Sequence, residues 1–312
     1  MQRFGFVFPG QGSQKLGMLA ELATAHPEVE DTFKEASDAL GIDLWQVAQL
    51  DSENNLDQTQ ITQPVLLSAS VAIWRAWCAQ QAPAPSIMAG HSLGEYSALV
   101  CAGVLEFADA VKLVHQRGLY MQAAVVPGAG KMAAIVGLEN YQINEACEQA
   151  AQGQVVSAAN YNSIGQTVIA GDVEAVERAM ALCKEAGAKR ALPLNVSVPS
   201  HCALMQPAAE QLQQSLNDVD FSSAKIPVVQ NVNAQINSNA EEIKEYLIKQ
   251  LYAPVLWVDS VRLMHKAGVQ KLIECGPGKV LSGLIRRIEP EISCFGSDDV
   301  HGLETAIAEV TI

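Results

Sequence analysis

The chain has 312 residues, 20 Lys and Arg against 34 Asp and Glu, and a formal net charge of −14; 49% of its residues are apolar and 17% charged. That balance excludes intrinsic disorder, which needs few apolar residues and dense charge, and it suits one large domain with an insertion, or two domains. The acidic excess argues against a general nucleic-acid binder, whose affinity rests on Lys and Arg neutralising phosphates.

Strand-length apolar runs alternate with helical patterns, which reads as α/β. Residues 4–8 (FGFVF) form a short buried strand, followed by the turn-rich loop Pro9-Gly10-Gln11-Gly12-Ser13-Gln14. Residues 15–50 read as helices with a break near Gly41, and 60–80 as a helix with an apolar face through Val65, Leu66, Ala69, Ile73 and Trp77. Pro83 and Pro85 stop it; 87–89 is a very short strand, and helices follow at 94–102 and 106–123.

Composition shifts at Pro127-Gly128-Ala129-Gly130, a hinge signal. The segment beyond it has its own order: strand 131–137, helix 139–151, strands 154–159 and 165–170, helix 172–187, strand 189–194. This is the ferredoxin-like β-α-β-β-α-β unit. The expected division is a large α/β subdomain of residues 1–126 and 198–312, built on a mainly parallel sheet, and a small inserted subdomain of 127–197. After Pro199 come helix 203–217, strand 226–232, helices 241–251 and 256–267, strand 270–274, the loop Gly276-Pro277-Gly278, helix 279–288, and a closing strand and helix.

The N-terminus shows no signal-peptide apolar region, and no uncharged apolar run reaches the roughly 18 residues of a membrane span. A cytoplasmic location and no membrane partner are expected. The longest apolar run, around residue 90, is interrupted by His91 and Glu95. Seven cysteines, odd in number and without C-x-x-C, read as reduced thiols in the core rather than as disulfides or a metal site.

Gly90-His91-Ser92-Leu93-Gly94 matches G-x-S-x-G between a short strand and a helix, the setting of a nucleophile elbow. The N–H of Leu93, at the helix start, would face a developing oxyanion. The plainer reading makes Ser92 only an N-cap. A serine nucleophile needs a base, and there are six histidines. The side chain of His91 should diverge from its neighbour's hydroxyl. His26 and His265 look like helix-surface or helix-end residues, and His115 looks structural. Two candidates remain. His301, after Asp298 and Asp299, suits the chain order of an α/β-hydrolase esterase or thioesterase. His201, in Val198-Pro199-Ser200-His201, lies where the inserted segment ends, beside a cleft between subdomains. Spacing alone does not decide between them.

Taken together, FVFPGQGSQ (6–14), TQPVLLSASVAIW (62–74), GHSLGEYSALVCAG (90–103), QRG (116–118), SAANYNSIGQTVIAG (157–171), VPSH (198–201), QLYAPVLW (250–257) and GPGKVL (276–281) resemble the malonyl-CoA:acyl carrier protein transacylases of bacterial fatty-acid synthesis. The resemblance spans nearly the whole chain and matches least after about residue 296. It implies a hydrolase-like fold and a ping-pong transfer of malonyl from malonyl-CoA to the phosphopantetheine thiol of holo acyl carrier protein. It implies Ser92 as nucleophile, His201 as base oriented by the backbone carbonyl of Gln250, and an oxyanion hole from the amides of Gln11 and Leu93. It also implies Arg117 as the partner of the malonyl carboxylate, with Asn160 and Asn162 lining the cleft. No metal or bound cofactor is implied, and a monomer is expected. Acyl carrier proteins of that pathway are acidic, so a chain of net charge −14 needs a basic docking face. The candidates are Lys184, Lys189 and Arg190 in the insert, and Lys279, Arg286 and Arg287 on the helix after Gly278.

Overall fold

The computed structural model describes residues 3–196 and 198–311; residues 1, 2, 197 and 312, the expected boundary residue 197 among them, lie outside it. Among the described residues nine strands form two sheets: β1 (Phe4–Phe8), β2 (Ile87–Gly90), β3 (Gly130–Val136), β4 (Val156–Ser163), β5 (Gln166–Asp172), β6 (Arg190–Pro193), β7 (Val228–Val229), β8 (Lys271–Glu274) and β9 (Ser293–Gly296). The first sheet has the order β7-β2-β1-β8-β9, and every neighbouring pair in it is parallel.

The alternation of side chains along β1 divides the large core. Phe4, Phe6 and Phe8 face one layer, where Phe6 packs edge-on against Trp74 and Trp77 at 5.5 and 4.9 Å. Val7 faces the other layer, with Trp257, Leu272 and Ile285. Helices therefore cover both faces of the sheet, as parallel strands require.

The helix Thr59–Ala79 is buried almost all round, not on one face as its apolar pattern suggested, because it is sandwiched between neighbouring helices. Pro64 lies inside it. A proline has no N–H to give the carbonyl four residues back; that carbonyl, of Gln60, lies 2.8 Å from His115 Nδ1 instead. The expected structural role of His115 therefore has a specific cause.

The second sheet is antiparallel with the order β4-β5-β3-β6. Within the inserted unit this is second-third-first-fourth, the ferredoxin-like arrangement. Helices Asn140–Ala151 and Val173–Glu185 cover one face of it, around Ile135, Ile143, Val176 and Cys183. The other face carries Met132, Ala159, Val168 and Ala170 against Cys202, so the antiparallel sheet packs on the rest of the chain through this face.

Two expectations need correction. The strand read at 226–232 is only Val228–Val229. Its partner β2 is short, and after Val229 the chain turns, with the Ala234 N–H on the Gln230 carbonyl and Ala234 at φ 50°. The cysteines are all free, but Cys78 is exposed and Cys294 half-buried, so not every one is a core residue. No helix among the described residues is long and apolar enough to cross a membrane.

Candidate active site

The carboxyl ends of β1, β2 and β7 meet at one edge of the parallel sheet, where ligands of open α/β sheets bind. β2 runs into Ser92, and the helix Leu93–Cys101 starts at the next residue. Ser92 has φ 53° and ψ −110°, a strained conformation for a residue with a side chain. Its glycine neighbours are required by space. A Cβ on Gly90 would lie 1.8 Å from the Gly94 carbonyl carbon, and one on Gly94 would lie 2.0 Å from the Phe8 oxygen. The turn is held on both sides of the serine. Its N–H donates to Asn231 Oδ1 (2.7 Å), and its C=O accepts from Gln250 Nε2 (3.0 Å).

Ser92 Oγ lies 2.8 Å from His201 Nε2, and His201 Nδ1 lies 2.6 Å from the Gln250 backbone oxygen. A carbonyl only accepts, so the Nδ1 carries the hydrogen and Nε2 is left free to take the serine proton. His201 is buried, and burial, reinforced by the Arg117 cation, pulls its pKa down to about 3. The imidazole is therefore neutral when free. The rival His301 is exposed at the start of the last helix, Val300–Thr311. Asp299 accepts from the Gly302 N–H and Asp298 from the Gly278 N–H, which gives both acids structural work away from Ser92.

Arg117 is 1% exposed on the helix Phe107–Ala123. Nη1 donates to Gln63 Oε1 at 2.7 Å, and Nη2 to Gln250 Oε1 at 3.0 Å and to Ser92 Oγ at 3.4 Å. Its Cζ lies over the Tyr96 ring, 5.5 Å from the centroid. Among the described residues no carboxylate forms an ion pair with it, and Nε has no hydrogen-bond partner. Burial lowers its pKa. The site thus contains a desolvated cation anchored by neutral amides, ready for an anionic group.

The backbone amides of Gln11 and Leu93 have no acceptor among the described residues. The loop after β1 is pressed onto the elbow, since a Cβ on Gly10 would sit 2.5 Å from the His91 oxygen and 3.7 Å from the Leu93 nitrogen. Gln11, Ser92 and Leu93 thus line the same cavity. A cavity of about 190 Å³ is lined by Gln11, Ser92, Leu93, Arg117, Asn160, Asn162 and His201, with apolar walls from Met132, Val168, Leu194, Val196, Val280 and Leu284. His91 diverges from the serine, as expected: its Nε2 lies 2.8 Å from Asn162 Oδ1, and its ring packs edge-on against Trp257. Asn162 is thereby engaged with the elbow, and Asn160 is buried in the cleft wall. Among the described residues no three His, Cys, Asp or Glu side chains converge as metal ligands.

The basic candidates are all exposed. Arg190 and Gln166 are both cross-strand partners of Val136, and Arg287 Nη1 donates to Gln166 Oε1 at 2.6 Å. Lys189, Arg190 and Arg287 therefore gather at one end of the insert. Arg286 turns to a different hollow, shared with Lys279 and His301.

Sequence reasoning missed Gln63, Glu95 and Asn231. Asn231 was detectable as a polar residue inside the segment 226–232 that reads as a buried strand. Glu95 was detectable as the single acid within an apolar helix start.

Residues 5–288 match the acyl transferase domain family. The malonyl CoA-acyl carrier protein transacylase of Escherichia coli is 56% identical over 307 residues, covering 98% of this chain and 99% of that one. Its counterpart in Bacillus subtilis is 42% identical over 308 residues, covering 98% of this chain and 97% of the relative. The solved transacylase of Coxiella burnetii superposes with a TM-score of 0.98 at 51% identity, covering 100% of this chain and 98% of that one. A malonyl-transacylase solved in complex with a type II PKS acyl-carrier protein superposes with a TM-score of 0.97 at 56% identity, covering 98% and 99%. Matched over almost its whole length in sequence and in fold, the chain belongs to the malonyl CoA-acyl carrier protein transacylase family of acyl transferases.

Proposed function

We propose that this chain transfers malonyl from malonyl-CoA to the phosphopantetheine thiol of holo acyl carrier protein, through a malonyl ester on Ser92. The observation that carries this reading is the buried Arg117 cation with no carboxylate partner among the described residues, 3.4 Å from the hydroxyl that His201 can deprotonate. An acyl group that itself bears a carboxylate fits that pair of features.

His201 Nε2 takes the Ser92 proton as Oγ adds to the thioester carbon, and the amides of Gln11 and Leu93 receive the oxyanion. The C–S bond breaks, and the imidazolium gives its proton to the departing CoA thiolate. The carrier's thiol then reverses the sequence, losing its proton to His201 and taking the acyl group from Ser92. A thiolate leaves far more easily than an amine, so a neutral carbonyl, that of Gln250, suffices to orient the base where peptide hydrolysis uses a buried acid. Asn160 and Asn162 line the acyl path. The reaction needs no metal or bound cofactor.

Lys189, Arg190 and Arg287 supply the basic face for an acidic carrier, and Arg286, on the same helix as Arg287, extends it from the neighbouring hollow. We assign residues 1–126 and 198–312 to the large subdomain and 127–197 to the small one, and read the enzyme as a cytoplasmic monomer.

Intact-mass analysis tests the proposal. Malonyl-CoA should add one malonyl group to the wild type and none to Ser92→Ala, and holo acyl carrier protein should discharge the ester much faster than water. A mass gain that survives Ser92→Ala removes the assigned nucleophile. Arg117→Ala should cost malonyl transfer about 100- to 1,000-fold, the penalty of a buried carboxylate left unpaired. Acetyl transfer should fall much less.

A further inference from the structure

Glu95 lies in the first turn of the helix that Ser92 begins, 1% exposed. Among the described residues it has no ion-pair partner, and its Oε1 has no hydrogen-bond partner. The nearest cation, Arg117, reaches it only through the Gln250 side chain, whose Oε1 accepts from Arg117 and whose Nε2 donates to Glu95, and a buried acid with no direct cation contact is costly to retain for packing alone. All of its polar contacts fall on one oxygen, Oε2, which accepts from Gln250 Nε2 at 2.7 Å and from the Asn231 backbone N–H at 3.1 Å.

Those two donors are the residues that clamp the nucleophile. Asn231 Oδ1 accepts the Ser92 N–H, Asn231 Nδ2 donates to the Gly90 oxygen at 2.6 Å, and Gln250 Nε2 donates to the Ser92 carbonyl. Gln250 also presents the backbone oxygen that faces His201 Nδ1. One carboxylate oxygen thus ties together the two residues that hold the peptide groups on either side of Ser92, and one of the two also orients the base. A serine at φ 53° returns to a commoner conformation unless its surroundings determine it from several directions.

We propose that Glu95 is a positioning residue that holds Ser92 in its strained conformation and in register with His201, acting through Asn231 and Gln250. The proposal rests on the reading of Ser92 as nucleophile and His201 as base. It requires an accepting oxygen at this place rather than a negative charge. Burial pushes the Glu95 carboxyl up to about 7, and Oε2 can accept whether or not the group is ionised, with the proton then on Oε1.

The test is single-turnover acylation by malonyl-CoA and by acetyl-CoA, with the KM for each, in Glu95→Ala and Glu95→Gln. Glu95→Ala should slow acylation by about 10- to 100-fold for both acyl groups, the effect of losing hydrogen bonds to a buried polar group. The KM for malonyl-CoA and the malonyl-to-acetyl ratio should stay within about threefold, because Arg117 keeps its anchor on Gln63. Glu95→Gln, which retains an oxygen for both donors, should return acylation to within about threefold of wild type. If Glu95→Ala does not fold, Glu95→Asp, with its carboxylate withdrawn by one methylene, carries the same expectation. Acylation at the wild-type rate in the folded variant would overturn the proposal. So would equal impairment of Glu95→Gln, or a loss confined to the KM for malonyl-CoA. Failure of wild-type Ser92 to acylate at all would instead strike the reading on which the proposal rests.

Discussion

Arg117 Nη2 reaches to within 3.4 Å of Ser92 Oγ. A cation so close to the nucleophile limits the number of bonds between the acyl carbonyl carbon and a carboxylate that pairs with the guanidinium. Malonyl has one methylene between the two groups and succinyl has two. Transfer from succinyl-CoA should be about 10- to 200-fold less efficient than from malonyl-CoA, the usual discrimination over one methylene. Steady-state kinetics with the two thioesters measure this, and equal kcat/KM values would show that Arg117 does not set acyl length.

Replacement of the two competing histidines should give opposite results. His201→Ala should lower acylation roughly 100- to 10,000-fold, the range for loss of a general base. His301→Ala removes an exposed side chain at the start of the last helix and should stay near wild type. A transfer assay that ranked the two the other way would reject the base assignment.

The elbow depends on space as much as on chemistry. A Cβ at position 94 would stand 2.0 Å from the backbone oxygen of Phe8, and strand β1 is buried and cannot yield. Gly94→Ala should destabilise the fold by roughly 1–3 kcal/mol or more and displace Ser92. Urea denaturation with acylation measured in parallel checks both effects; a variant that keeps stability and activity would mean that the strand gives way more readily than its burial implies.

The ionisation of His201 has a signed consequence. Its folded pKa is lowered from 6.5 to about 3, so between those values the unfolded chain binds a proton that the folded one does not. This contribution to stability is therefore complete above pH 6.5 and declines as pH falls toward 3. Nitrogen NMR of the free enzyme should find the His201 ring still neutral at about pH 5, well below the ordinary histidine midpoint. A ring that titrated near 6.5 would contradict the effect ascribed to burial and to Arg117.

Charge reversal tests the carrier face. Arg190→Glu or Arg287→Glu should raise the apparent constant for acyl carrier protein, weaken the salt dependence of transfer, and leave acylation by malonyl-CoA intact. If both reversals leave the second half-reaction unchanged at low salt, the carrier docks elsewhere.

Periodicity and punctuation made most of the elements legible. Alternation in FGFVF, the glycines around Ser92 and the β-α-β-β-α-β order of the insert follow from local sterics and side-chain period, which a sequence displays directly. The candidate nucleophile was legible for the same reason, since Gly90, Ser92 and Gly94 follow a strand within five residues. The base was not. His201 and His301 were equivalent by spacing, and only the fold, which sets residue 201 against residues 92 and 250, separates them. The β7 strand was overread because the chain turns after Val229, with the Ala234 N–H on the Gln230 carbonyl, and that backbone turn does not show in the apolar run. Arg117 could be named through resemblance, but its lack of a carboxylate partner among the described residues is a property of side chains drawn from distant segments. The clamp of Glu95, Asn231 and Gln250 around Ser92 joins residues more than 130 positions apart. Hydrogen bonds across such separations leave no local pattern, and desolvation, which gives buried charges their altered behaviour, exists only once the chain has closed around them.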